Sequence, residues 1–340
     1  MILVTGGTGL VGSHVLLQLC KQKQAVRALY RPTSDRELVR KIFNYYSPSY
    51  NALYNTIEWV EGDITDVLSL EDAMKGVDYV YHCAALVSFK KQDRDKLQKI
   101  NVEGTYNVVN ACLDAGIKKL CYVSSTAAIG KGEENKLLDE TNTWTNEPDV
   151  SNYSISKHQA EQEVWRGGEE GLNIVMVNPC LIIGPHNWNT GSTAIFKNVY
   201  GGLKWYTPGS NAIVDVRVVA DAMIRLLESD ITGERYLVIT ENLNFKDFTA
   251  LMANAMAKKP PQKQVSRFAA SVGRRFEAIG SKLSGREPRI TKETLQAAFK
   301  KFSYSNQKLK KALPDIHTST AKEAIENAVG FFKTEYFKNK

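Results

Sequence analysis

Through the first 240 residues, short runs of Val, Ile, Leu and Tyr alternate with segments whose apolar positions recur every three or four residues. The runs at 2–5, 25–30, 57–61, 77–81, 120–124 and 174–178 have strand length and are flanked by turn residues. Between them, 9–23, 35–43, 70–75, 93–115 and 153–168 carry the helical period. Ser34-Asp-Arg-Glu37 has the spacing of a capping box for the second of these helices. Strands that are apolar on both faces, each followed by a helix, belong to a parallel sheet covered on both sides. The pattern predicts a doubly wound α/β fold.

After about residue 180 the rhythm loosens. Gly184-Pro185, Gly191, Gly201-Gly202 and Pro208-Gly209 mark loops. Further strands are expected at 213–216 and 235–239, with a helix over 218–228 between them. From 245 onward the pattern is mainly helical, interrupted by Pro260-Pro261, Pro288 and Pro314. This layout predicts a Rossmann domain over 1–180 and a smaller, partly helical substrate-binding region over 181–340, with 213–240 returning to the core. An apolar content of 43% over 340 residues is enough for a core of that size.

The first chemistry lies in Thr5-Gly6-Gly7-Thr8-Gly9-Leu10-Val11-Gly12, which directly follows the first strand and opens the first helix. In a dinucleotide cradle Gly6 permits the tight turn, Gly9 lets the backbone approach a pyrophosphate, and Gly12 allows close helix–strand packing. Leu10 and Val11 begin the helix, whose free N–H groups face the anion. An NAD site places Asp or Glu at the end of the second strand to hold the ribose hydroxyl. Here the strand ends in Ala-Leu-Tyr30-Arg31, with no carboxylate before Asp35. Arg31 stands where a guanidinium pairs with a 2′-phosphate, which favours NADP over NAD; the alternative is a surface arginine ahead of Pro32.

A second constellation follows the fifth strand. Tyr153-Ser-Ile-Ser-Lys157 puts a phenol and an ammonium on one face of a helix. A free phenol, with pKa near 10, transfers protons poorly at neutral pH, and a neighbouring ammonium lowers that value. Tyr122-Val-Ser-Ser-Thr-Ala-Ala-Ile-Gly130 places hydroxyls at the carboxyl end of that strand, where ligands of doubly wound sheets bind. Ser125 is the candidate donor to a substrate oxygen, and Ser124 and Thr126 are read as closing the strand-end turn.

Taken together, TGGTGLVG, EGDITD (61–66), HCAALVSF (82–89), NVEGTYNVV (101–109), VSSTAAIG (123–130), YSISK (153–157) and NPCLIIGP (178–185) resemble the extended short-chain dehydrogenase/reductases, in that family's order, over about two-thirds of the chain. VRALYR and VNPCLIIGP are most similar to the branch of dihydroflavonol reductases and 3β-hydroxysteroid dehydrogenases. The R-x-x-N pattern of nucleotide-sugar epimerases is not matched, because Val175 stands three before Asn178. The resemblance implies that Asp63 bonds the adenine amine with the Ile64 backbone nearby. It implies that Ala84 and Ala85 line the cofactor, that Val87 approaches its nicotinamide side, and that Pro179 touches the same region. It further implies that Tyr153 exchanges the proton, that Lys157 also holds the nicotinamide ribose, and that Asn101 lies in the helix behind the site. His82, near the fourth strand, is read as structural. Helices around 101–115 and 153–168 are those by which such proteins pair, so a homodimer is expected. One departure is Val218, where the family usually carries Asp.

Charge and the remaining residues alter this picture little. Residues 241–340 carry 20 Lys and Arg against 9 Asp and Glu, while 1–240 carry 24 against 28. Such a basic end is either a solvated surface or an attractor of anions. Val265, Phe268, Val272, Phe276, Ile279 and Leu283, punctuated by Arg267, Arg274, Arg275 and Lys282, form a basic amphipathic pattern. It either packs on its own domain or lies on a membrane surface, and the first reading is preferred. No run is long enough to span a bilayer, and glycines interrupt the apolar start, so a cytoplasmic protein is expected. The five Cys and five His show no metal-ligand spacing, and neither a metal nor nucleic acid is expected. Phe89, Trp144, Trp188, Trp205 and Tyr206 either wall an apolar pocket or pack a lid.

The sequence therefore predicts an NAD(P)-dependent oxidoreductase, NADP preferred, acting on a small carbonyl or secondary alcohol through Ser125, Tyr153 and Lys157. The rival readings are a nucleotide-sugar epimerase or dehydratase with tightly bound NAD, and a redox-inactive NAD(P)-binding regulator.

Overall fold

Alternate residues of the predicted strands are buried on opposite sides of one sheet, as period-two geometry requires. A computed structural model describes residues 1–130, 136–145, 150–271 and 292–337. Its central sheet has seven strands, all parallel. Six of them are β1 (Ile2–Thr5), β2 (Val26–Tyr30), β3 (Ile57–Glu61), β4 (Tyr79–His82), β5 (Lys119–Val123) and β6 (Ile174–Pro179). Two further strands, β7 (Leu181–Ile183) and β8 (Ser210–Asp215), lie outside it, and β9 (Glu234–Val238) returns to its edge as the seventh. The order is β9-β6-β5-β4-β1-β2-β3.

Val4, Tyr81, Cys121 and Val175 face α1 (Leu10–Lys21) and the helix over Val216–Glu228 in one cluster. Leu3, Val80, Leu120, Tyr122 and Met176 face the other way, toward helices at Gly104–Asp114 and Asn152–Glu169. The chain reverses its winding between β1 and β4, which opens the ligand crevice at their carboxyl ends.

The smaller part of the molecule is built on β7, β8 and an antiparallel strand at Glu241–Asn244, with helices at Phe245–Ala255 and Ala321–Glu335. Phe196, Phe248, Met252, Phe331 and Phe332 form its core, which also takes in Leu38 and Ile42 from α2 (Arg36–Tyr46). Polar ties reinforce that crossing. The Tyr45 hydroxyl donates to the Asn327 carbonyl (2.9 Å), the Asn327 amide donates to the Tyr46 hydroxyl (2.6 Å), and Lys41 pairs with Glu335 (2.9 Å). Gly330 is required there, because a Cβ would stand 2.3 Å from the Tyr45 hydroxyl oxygen.

Two sequence expectations change. Asp35, not Ser34, caps α2, its carboxylate accepting from Leu38 N, while the Ser34 hydroxyl accepts from Arg31 N. The helix expected over 93–115 is broken by a π-helical turn at Gln98–Glu103, where Asn101 draws its side chain to the site. Of the amphipathic stretch 265–283, only 265–271 is described, and 272–283 lies outside the described residues. None of the described helices is long and apolar enough to cross a membrane.

Candidate active site

Three of the four glycines of the first turn serve separate steric purposes. Gly6 has φ of +66°, and a Cβ on it would lie 2.6 Å from Ala84 N. A Cβ on Gly12 would stand 2.2 Å from the Gly6 carbonyl oxygen, so only glycine lets α1 close onto the turn. A Cβ on Gly9 would meet only that same oxygen, at 3.2 Å; the surface it would cover is otherwise open to a ligand. Helix α1 starts with neither a side-chain cap nor an acidic residue in its first turn, leaving the N–H groups at Leu10 and Val11 to face an anion. This cradle fits a dinucleotide pyrophosphate. His186, from the loop after β7, donates its Nε2–H to the Thr8 carbonyl (3.1 Å) and buttresses the turn from the opposite side.

At the end of β2, Asp35 is committed to capping α2 and does not stand ready for a ribose hydroxyl. Arg31 is 55% exposed, with Nη1 4.0 Å from Asp63 Oδ2. Arg36 lies over the Tyr30 ring at 4.2 Å and adds positive charge nearby. Asp63 Oδ1 accepts from Thr65 N and Oγ1, and the Ile64 carbonyl accepts from Asn107 Nδ2. Beyond β4, Ala84 N donates to Thr5 Oγ1 (3.4 Å), whereas Ala85 and Val87 are exposed. Pro179 ends β6 and is buried.

The Ser125 side chain accepts from Ala127 N (3.1 Å) at the turn after β5 and stands near the Tyr153 phenol. The phenol comes from the first turn of the helix at Asn152–Glu169, whose N-cap is Ser151. Phe89 meets the Tyr153 ring edge-on at 5.4 Å. Burial pushes this phenol above its ordinary pKa, with the nearby Ser125 hydroxyl working the other way. The expected lowering by Lys157 is not found. Lys157 is 1% exposed, and its ammonium donates instead to the Tyr122 hydroxyl (2.6 Å) and the Val123 carbonyl (2.8 Å). Both acceptors lie at the end of β5. Burial brings the Lys157 ammonium down to about 7, although the Glu161 carboxylate pulls it back up.

Sequence reasoning missed Tyr122 and Glu161. Tyr122 is fully buried, stacks on His82 (5.3 Å between ring centres) and orients Lys157. His82 itself bridges Thr5 Oγ1 (2.7 Å) and Thr105 Oγ1 (3.0 Å), a structural role as expected. Glu161, one turn beyond Lys157, accepts from the Ser124 hydroxyl, from Asn178 Nδ2 (2.7 Å) and from Arg235 Nη1 (2.7 Å). It thereby ties β5, β6 and β9 beneath the site. A signal for it exists in the sequence, because Tyr153, Lys157 and Glu161 share one helical face at spacings of four. Asn101 also converges here, accepting from Leu86 N (2.7 Å) and donating to Ser156 Oγ (2.9 Å). Turns of this π-helical kind recur at functional sites.

Of the loop aromatics named from the sequence, Phe89 is the one that touches Tyr153. Trp144 stacks on His158 at 4.2 Å, and Trp188 is buried against Tyr336 and Phe332. Trp205 and Tyr206 pair with Lys263–Gln264 as a short parallel ribbon.

Comparison with known proteins identifies the family. The sequence profile of the NAD-dependent epimerase/dehydratase family matches residues 2–238. The chain is 29% identical over 339 residues to a Synechocystis sp. protein named as a candidate dihydroflavonol 4-reductase, covering 97% of this chain and 94% of that one. It is 30% identical over 244 residues to sterol demethylase protein B of Methylococcus capsulatus, covering 71% and 70%. The crystal structure of gox2253 superposes with a TM-score of 0.81 at 33% identity, covering 99% and 98%. UDP-glucose 4-epimerase of Thermus thermophilus, solved with NAD, shares the fold (TM-score 0.74, 22% identity, 98% and 99% covered). With its parallel sheet, its glycine turn and this match, the chain belongs to the NAD-dependent epimerase/dehydratase family, among the extended short-chain dehydrogenase/reductases.

Proposed function

We propose that the protein is an NADP-dependent oxidoreductase that interconverts a carbonyl and a secondary alcohol. The observation that carries this reading is a glycine turn shaped for a pyrophosphate on the same sheet that places Ser125, at the carboxyl end of β5, near the Tyr153 phenol. The naming of relatives as reductases supports it. A nicotinamide cofactor held at the glycine turn would supply or take the hydride. Tyr153 gives a proton to the substrate oxygen or removes one, and Ser125 donates a hydrogen bond to that oxygen as charge develops on it. Lys157, held in place by Tyr122 and the Val123 carbonyl, would hold the nicotinamide ribose with its ammonium rather than set the pKa of the phenol. Phe89 and Val87 give the entrance an apolar wall. The direct test is nicotinamide absorbance with NADPH and a panel of aldehydes and ketones. Tightly copurifying NAD with no net nicotinamide turnover would overturn the reading in favour of an epimerase.

Arg31 carries the cofactor preference in this proposal. Removing a charge-assisted contact to phosphate costs about 1.5–3 kcal/mol, a factor of roughly 10 to 100. Arg31→Ala is therefore expected to weaken NADP binding by that factor in calorimetry and leave NAD affinity unchanged. Equal losses for both cofactors would remove the assignment.

The ionisation of Lys157 predicts a pH profile. Only the protonated ammonium supplies charge, and its pKa stands at about 7, so kcat/KM should fall as pH rises through neutrality. Lys157→Arg, whose guanidinium stays charged, should lose this alkaline limb even where its overall rate is lower. A wild-type profile flat from about pH 6 to about pH 9 would contradict the role given to Lys157.

We also infer a homodimer through the helices at Gly104–Asp114 and Asn152–Glu169, where Tyr106 lies 47% exposed beneath the Arg166 guanidinium. Light scattering reads the mass directly, and a monomer at micromolar concentration would end this inference.

A further inference from the structure

Away from the crevice, two segments that meet edge to edge form a surface of unusual composition. Residues 197–214 and 248–271 contain no Asp or Glu. They are joined where Lys263–Gln264 pairs in parallel with Trp205–Tyr206, with Lys263 N donating to the Lys204 carbonyl and Val265 N to the Tyr206 carbonyl. Trp205 is 50% exposed and Phe268 is 81% exposed, the latter beyond anything a folded core requires. Basic side chains surround them: Lys204, Lys258, Lys263 and Arg267 are all exposed. Two of their ammonium groups lie over aromatic rings, with Lys263 Nζ 5.5 Å from the Trp205 ring centre and Lys258 Nζ 4.4 Å from that of Tyr200.

Aromatic rings that protrude among lysines, on two segments that carry no Asp or Glu, match the chemistry of a lipid headgroup layer. The rings enter the boundary of the acyl region, the amphipathic lysine stems lie beside them, and the ammonium groups reach lipid phosphate and carboxylate groups. Near an anionic bilayer each such cation is worth about 1 kcal/mol, which corresponds to roughly fivefold in partitioning. We propose that this face, centred on Trp205 and Phe268, docks the protein reversibly on anionic membrane surfaces. The occupant is the bilayer interface. The charge complementarity and the exposed phenyl ring carry the inference, which does not depend on the reaction assigned to the crevice.

The test is sedimentation of the full chain with phosphatidylcholine vesicles, with and without phosphatidylserine, at low and high salt. Wild-type protein should pellet with the anionic vesicles, less so at high salt, and stay in solution with phosphatidylcholine alone. Lys258→Glu combined with Lys263→Glu should lower partitioning by at least about tenfold. Trp205→Ala combined with Phe268→Ala should lower it comparably, with thermal melting unchanged in both variants as proof of folding. A blue shift of tryptophan emission on vesicle addition should disappear in Trp205→Phe, although that variant still binds. Wild-type protein that remains in solution overturns the proposal. So do double variants that bind like wild type, or binding to single-stranded nucleic acid without binding to anionic vesicles.

Discussion

Replacing Tyr153 with Phe should remove turnover while leaving the protein folded and able to bind NADP. The ring keeps its edge contact with Phe89, and the only group deleted is the hydroxyl. A positioned acid–base group typically supplies about 10²- to 10⁴-fold, so kcat should fall by about three orders of magnitude. Cofactor affinity, carried by the glycine turn and Arg31, should stay within about twofold because no charge-assisted contact is lost. The measurements are steady-state kinetics with NADPH and calorimetry on the same preparation. A purified Tyr153→Phe enzyme that keeps more than a tenth of wild-type kcat would show that the proton travels by another route.

The second large effect concerns stability. Glu161 is 1% exposed, and its carboxylate is satisfied by Ser124, Asn178 and Arg235, while Arg235 also donates to the carbonyls of Glu140 (2.8 Å) and Asn142 (3.1 Å). Removing one member of a buried pair strands the other's charge, at a cost of about 3–5 kcal/mol. Glu161→Leu should therefore lower the urea midpoint by an amount corresponding to several kcal/mol. Arg235→Leu added to it should recover part of the loss, because the stranded guanidinium is then gone. A single-variant loss below about 1 kcal/mol would mean that solvent reaches the pair and screens it. Because Glu161 lies on the helix that presents Tyr153 and Lys157, such variants should lose activity through misplacement as well.

The contrast between the two sites of prediction shows what a linear sequence makes visible. Strand runs are local, so β1 and β3 fall where the apolar pattern puts them, and the glycine turn is local too, with its spacing reporting its backbone geometry. The break inside the helix-period segment at 93–115 is invisible because a π turn changes hydrogen bonding without changing apolar spacing. The partner of Lys157 is hidden for a related reason. Helical spacing shows that Tyr153 and Lys157 share a face, but the competing acceptors, Tyr122 and Val123, come from a strand about thirty-five residues earlier. The Arg235–Glu161 pair spans a still longer separation, and nothing in the local pattern of either residue announces it. What escapes the sequence is thus the set of polar contacts made across the sheet.

The crossing of the last described helix onto α2 has a consequence for biogenesis. Leu38 and Ile42 lie against Phe331 and Phe332, and Tyr45 and Tyr46 are held by Asn327. During translation, an early amphipathic segment must wait, greasy side uncovered, until the ribosome has released the chain to about Glu335. Over that interval the nascent protein would be a natural client for holdase chaperones, and a premature stop shortly before Ala321 would yield a product prone to aggregate and not merely a shorter one.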